Sequence, residues 1–195
     1  RVWPAAQVSA VLAAARTLGL RTHLDGARLM NAVVASGVSA RQFAAGFDTA
    51  WIDFTKGLGA PIGACLAGSA ELIEEAWRYK QMWGGAMRQT GIVAAAAIYA
   101  LDHHVERLAE DHANARRLAE GLAELGGVEI AVDSVETNIV IFEAPDAPAL
   151  VEALRSEGVE VGAVGPRRLR AVTHLDVDRR QIELALDAFR RALSD

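Results

Sequence analysis

Thr55-Lys56-Gly57-Leu58-Gly59-Ala60-Pro61 lies downstream of His23-Leu24-Asp25-Gly26-Ala27-Arg28, and this pair of segments decides the fold. Leu20 to Leu24 has the apolar content of a short strand ending at Asp25, and Thr49 to Thr55 that of a second strand running into the Lys56 loop. Around them the spacing predicts helices. Ala5 to Leu18 carries a stripe at Val8, Val11, Leu12, Ala15 and Leu18, stopped by Gly19. Ala27 to Ala35 closes at Ser36-Gly37, and Ser39 caps a shorter helix ended by Gly46. Strands alternating with helices build a mainly parallel sheet covered on both faces. Ligands of such sheets gather beyond the carboxyl ends of the strands, where Asp25 and Lys56 both fall.

The chemistry of the two side chains agrees with that placement. A lysine entering a glycine-rich, proline-closed turn is held at a bend with little side-chain bulk around it. An amine and a carboxylate are the two protein groups that pyridoxal 5'-phosphate enzymes need most. The amine condenses with the aldehyde, and the carboxylate keeps the pyridine nitrogen protonated. Taken singly, a Lys-Gly turn is also what a solvated loop lysine looks like, and Asp-Gly also marks an ordinary turn.

More of the chain joins the pattern. His23-Leu24-Asp25-Gly26-Ala27-Arg28-Leu29, Lys56-Gly57-Leu58-Gly59-Ala60-Pro61 and Gly84-Gly85-Ala86-Met87-Arg88-Gln89 resemble the threonine aldolase family. So do Tyr99-Ala100-Leu101, Arg107-Leu108-Ala109-Glu110-Asp111-His112 and Arg170-Ala171-Val172-Thr173-His174-Leu175-Asp176. The resemblance spans nearly the whole sequence. It implies an α/β, fold-type I pyridoxal-phosphate enzyme that cleaves L-threonine, L-allo-threonine or related β-hydroxy-α-amino acids to glycine and an aldehyde. By the same resemblance Lys56 is the Schiff-base lysine and Asp25 the partner of the pyridine nitrogen. Arg28 is similar to the residue beside the cofactor hydroxyl and substrate carboxylate, Arg170 to the carboxylate clamp and Arg88 to a cofactor-phosphate anchor. Residues 1–102 then correspond to the C-terminal part of a large cofactor-binding domain, and 103–195 to a connecting helix and small α/β domain. Relative to the family, the phosphate loop and the ring-stacking residue fall outside this sequence, so a C-terminal portion is expected. A homodimer or homotetramer with a place in glycine and threonine metabolism is implied as well. Two positions depart from the family: Ala86 replaces a third glycine, and Gln81 stands where a basic residue is usual.

Composition narrows the alternatives. Of 195 residues, 52% are hydrophobic and 23% charged, as in an ordinary globular protein. A net charge of −5 with interleaved signs lacks the basic footprint of a nucleic-acid binder. No apolar run approaches the roughly 20 residues of a membrane span. The single Cys65 cannot form an internal disulfide, which suits a reducing, cytoplasmic setting. Its apolar neighbours make it an expected core residue rather than a nucleophile. No metal site is expected, because His103, His104 and His112 lack the one-turn spacing of a two-histidine motif. His23 is expected to face the opposite layer or to orient Asp25, and His174 to support the strand of Arg170.

Further along, strands are expected at Ala64 to Ala67, Val128 to Ala131, Thr137 to Phe142, Val159 to Ala163 and Leu169 to Thr173. Helices are expected from Ser69 to about Trp83, Arg88 to Leu101, Val105 to Leu125, Ala147 to Glu157 and Asp178 to Leu193. Gly126-Gly127 reads as an internal boundary. Gly84-Gly85 reads either as a helix break ahead of an anion site at the next helix start or as an ordinary connection between helices. Arg168 and Arg170 alternate onto one face of their strand, so spacing alone cannot separate them. Within the same cofactor class a β-eliminating lyase is the competing activity. A silent piece serving only an oligomer interface is the non-enzymatic alternative.

Overall fold

The computed structural model describes residues 1–194 as two compact units, one of residues 3–106 and one from Arg107 onward joined by Arg1–Val2. The first unit orders α1 (Ala5–Thr17), β1 (His23–Gly26), α2 (Leu29–Ser36), α3 (Ala40–Ala44), β2 (Thr49–Asp53), β3 (Ala64–Gly68), α4 (Ala70–Met82) and α5 (Gly91–His103). Helix α1 buries Val8, Leu12 and Ala15, one face of the expected stripe. Ser39 and Gln42 form a reciprocal capping box that starts α3.

β1 and β2 pair in parallel because α2 and α3 carry the chain back between them, whereas β2 and β3 run antiparallel. The Lys56 loop holds no helix, and a connection without a crossover returns a strand antiparallel. The part of the sheet formed here is therefore mixed, in the order β1-β2-β3, rather than mainly parallel. β3 is an edge strand exposed along its length, so Cys65 is exposed and not in the core. Helix α5 begins at Gly91, later than the sequence suggests, because Gln89 takes a left-handed φ of 53° that breaks the helical run.

In the second unit α6 (Leu108–Ala123), a 3₁₀ turn (Val132–Ser134), β4 (Ile139–Glu143), α7 (Ala147–Ser156), β5 (Gly162–Ala163), β6 (Arg168–Val172) and α8 (Arg179–Ala192) follow in order. The antiparallel sheet β4-β6-β5 packs Val140, Phe142, Leu169 and Ala171 against Leu118, Leu122, Leu154, Leu186 and Phe189 of the helices. Phe142 and Phe189 meet edge to face at 5.6 Å. Gly126-Gly127 lies inside this unit, since α6 before it and β4 after it share one core. Val128 to Ala131 forms only the bridge Glu129–Glu143 before the chain turns into the 3₁₀ segment. Among the described residues no helix is long and apolar enough to cross a membrane.

Candidate active site

Matched residues of a parallel pair project to the same side of the sheet. His23 and Thr49 illustrate it, with His23 Nδ1 lying 2.8 Å from Thr49 Oγ1. One step on, the register sets Asp25 beside Trp51, and Asp53 follows two residues later on the same face. The chain then turns, and Lys56 folds back so that its Nζ sits 5.5 Å from the centre of the Trp51 ring. Asp25 thus lies at the end of β1, and Lys56 three residues past the end of the adjacent β2.

Gly26 makes the close approach of these strands possible. A Cβ there would lie 1.8 Å from the carbonyl oxygen of Trp51, so only glycine fits after Asp25. Asp25 is exposed and accepts a hydrogen bond from the Ala27 amide at 3.0 Å. Arg28, half-buried, immediately precedes α2.

The Lys56 turn is closed by its own backbone. Gly59, at φ 71°, donates to the Lys56 carbonyl at 2.9 Å, and Ala60 donates to Phe54 at 2.8 Å. Two side chains that the sequence did not single out fix it further. Asp53, 7% exposed, accepts from the Thr55 amide and hydroxyl at 2.7 and 2.6 Å through one oxygen and pairs with the Lys56 ammonium through the other. Burial pushes the Asp53 carboxyl up, but the hydrogen bonds from Lys56 and Thr55 outweigh it and leave it below the usual carboxylate range. From the end of α5, His104 Nδ1 lies 2.6 Å from the Leu58 carbonyl and tethers the loop to the helix. In sequence Asp53 is only one polar residue of a strand, and the histidine contact spans 46 residues, so neither is marked by a local pattern.

The other arginines of the expected set lie on or just before other elements. Arg88 is exposed in the bend before α5 and makes no ion pair among the described residues. Arg168 and Arg170 lie on the exposed face of β6, as alternation required. Arg168 is taken by Glu143, its partner in register, at 2.9 and 3.2 Å. Arg170 stands opposite Ile141 and has no ion pair among the described residues. Thr173, rather than His174, anchors this strand: its hydroxyl donates to the Asp111 carbonyl at 2.7 Å, and Asn138 donates to its carbonyl at 2.8 Å. His174 makes only a local contact with Asp176. The Arg107–Asp111 motif forms a two-pronged pair on α6, with Asp111 fully buried.

The family model described as Beta-eliminating lyase matches residues 1–145. The low specificity L-threonine aldolase of Escherichia coli (strain K12) is 43% identical over 169 residues, covering 86% of this chain and 49% of that protein. The solved threonine aldolase of Leishmania major aligns at a TM-score of 0.77 and 17% identity, over 98% of this chain and 57% of that one. The α-aminoadipate aminotransferase LysN of Thermus thermophilus, solved with N-(5'-phosphopyridoxyl)-L-leucine, aligns at a TM-score of 0.73 and 18% identity, over 98% and 54%. The two structures establish the fold, the fold-type I arrangement expected from the sequence. The chain spans about half the length of the curated relatives it matches.

Proposed function

Since this chain belongs to the beta-eliminating lyase family, we propose that the whole protein is a pyridoxal-phosphate-dependent aldehyde-lyase. It cleaves L-threonine, L-allo-threonine or a related β-hydroxy-α-amino acid to glycine and an aldehyde. The observation that carries this reading is the convergence at the β1 and β2 ends. Asp25 stands in register with Trp51, and the Lys56 amine folds back over that same Trp51. An amine just past β2, a carboxylate at the end of β1, a guanidinium at Arg28 and a strand approach free of side-chain bulk at Gly26 make a donor set that suits the cofactor. When bound, pyridoxal phosphate supplies an aldehyde for a lysine and a protonated ring that accepts the electron pair left as the Cα–Cβ bond breaks.

Each side chain then has a task. Lys56 would hold the cofactor through its amine, which when free is able to move a proton. Asp25 keeps the ring nitrogen protonated by its negative charge. Arg28 would contact the cofactor hydroxyl and the substrate carboxylate, and Arg88 would bind the phosphate. Arg170 grips the substrate carboxylate in two-pronged fashion. Its lack of a competing carboxylate, while Arg168 is occupied by Glu143, supports giving this role to Arg170. A cytoplasmic homodimer or homotetramer contributing to glycine formation completes the reading.

The family description favours one second activity, elimination of a β-substituent. The two are separated by products. Incubated with L-threonine and the cofactor, the full-length protein is expected to release glycine and acetaldehyde in equal amounts. Ammonia and a keto acid instead would assign it to elimination.

A further inference from the structure

Resting on the assignment of Lys56 as the reactive amine, we propose that the buried Asp53 carboxylate is a positioning residue for it. Asp53 docks the Lys56 ammonium on the end of β2 and directs it over Trp51, towards the strand that carries Asp25. Three observations converge. Asp53 has a side chain only 5% exposed, and its partner Lys56 has one 36% exposed, so the pair is partly shielded from solvent rather than a surface contact. The two oxygens of the carboxylate are divided. One holds the Thr55 amide and hydroxyl, which shapes the turn, and the other faces the amine. Trp51 lies on the same strand face and offers its ring to the same ammonium. A free lysine side chain samples many rotamers, and holding it in one removes most of that freedom before a ligand arrives.

A plain turn-forming role for Asp53 makes a different prediction, because asparagine can accept the Thr55 hydrogen bonds through its one oxygen but has no charge to pair with the ammonium. The test is reductive methylation by formaldehyde and cyanoborohydride of the full-length protein without cofactor. Lys56 labelling is measured by peptide mass mapping against Lys80, the other lysine of this chain, which is exposed on α4. In Asp53→Asn, Lys56 is expected to label about threefold to tenfold faster relative to Lys80, the release of a partly shielded ion pair. In Thr55→Val, which removes the hydroxyl and keeps the carboxylate, the ratio is expected to stay within about twofold of the wild type. Equal rates in wild type and Asp53→Asn, or acceleration in Thr55→Val equal to that in Asp53→Asn, overturn the proposal. Should Asp53→Asn not fold, the wild-type protein decides. Its ¹⁵N spectrum is expected to show an exchange-protected lysine ammonium signal that Lys56→Arg removes, and absence of that signal is contrary. None of these readouts involves the cofactor. A wrong cofactor assignment would therefore leave them unchanged and would show instead as failure of Lys56 to bind pyridoxal phosphate.

Discussion

Replacing Gly26 by alanine strikes at the point where the two candidate strand ends meet. The added Cβ would sit 1.8 Å from the Trp51 carbonyl oxygen and 3.0 Å from its carbon, both backbone atoms of the neighbouring strand. No rotamer change relieves a clash with backbone. To reach the 3.4 Å of ordinary contact, β1 and β2 must part by about 1.6 Å at this step. Such a displacement weakens the parallel ladder at its Asp25 end, at about 1 kcal/mol per hydrogen bond. Overpacking adds about 1–3 kcal/mol. With one bond lost the total is about 2–4 kcal/mol, a large part of a typical stability of about 5–15 kcal/mol. The control is Gly19→Ala, at φ 64° with nothing within 4 Å of the added carbon, where backbone strain alone costs about 1–2 kcal/mol. Urea unfolding of both full-length variants, followed by far-UV circular dichroism, measures the difference. Cofactor absorbance reports whether the Asp25–Lys56 arrangement survives. A Gly26→Ala protein no less stable than Gly19→Ala, with the cofactor bound as in wild type, would refute the close-approach argument.

Other consequences are equally open to measurement. Arg170→Lys is expected to weaken glycine binding, read from the cofactor spectrum, about tenfold to a hundredfold, while Arg168→Lys changes it little because Arg168 is engaged by Glu143; equal effects would remove Arg170 from the substrate site. His104→Phe keeps ring bulk but removes the contact to the Leu58 carbonyl, and hydrogen exchange of the Lys56–Gly59 turn is expected to rise about fivefold or more; unchanged exchange would leave His104 without a role in the loop. The hydrogen bond from Arg21, with those from the Thr22 amide and hydroxyl, holds the Asp48 carboxyl down to about 2. Its stabilising effect is therefore complete above the ordinary aspartate value of about 4 and fades as the pH falls through about 2. Asp48→Asn should flatten that part of the acid unfolding curve, and an unaltered curve would count against the contacts of Asp48.

How much of this was legible before the structure depends on the range of each interaction. Asp25 and Lys56 could be found because each sits in a local turn whose glycines mark it, and the expected strands place both at sheet ends. The helix caps at Ser39, Ser69 and Asp178 were likewise local, and each side chain accepts the expected amide. Asp53 escaped notice because a strand aspartate seen in sequence is merely polar; its burial and its grip on Lys56 exist only once the turn folds back. His104 reaches a backbone carbonyl 46 residues earlier, a contact that no side-chain pattern records. Spacing could not separate Arg168 from Arg170, since the distinction is made by Glu143 on a different strand. Cys65 was misjudged for a related reason, since apolar neighbours do not reveal that β3 is an edge. Val128 to Ala131 had strand composition, yet the 3₁₀ turn that follows, with its Val132 carbonyl taken by Arg116, leaves room for a single bridge.

The central claim is that Lys56 is the amine to which pyridoxal phosphate attaches. The full-length protein, loaded with the cofactor, is reduced with borohydride, digested and mapped by mass spectrometry. The account predicts a phosphopyridoxyl adduct on the peptide containing Lys56, and its loss in Lys56→Ala. An adduct on any other lysine, or a reduced protein carrying none, would contradict it.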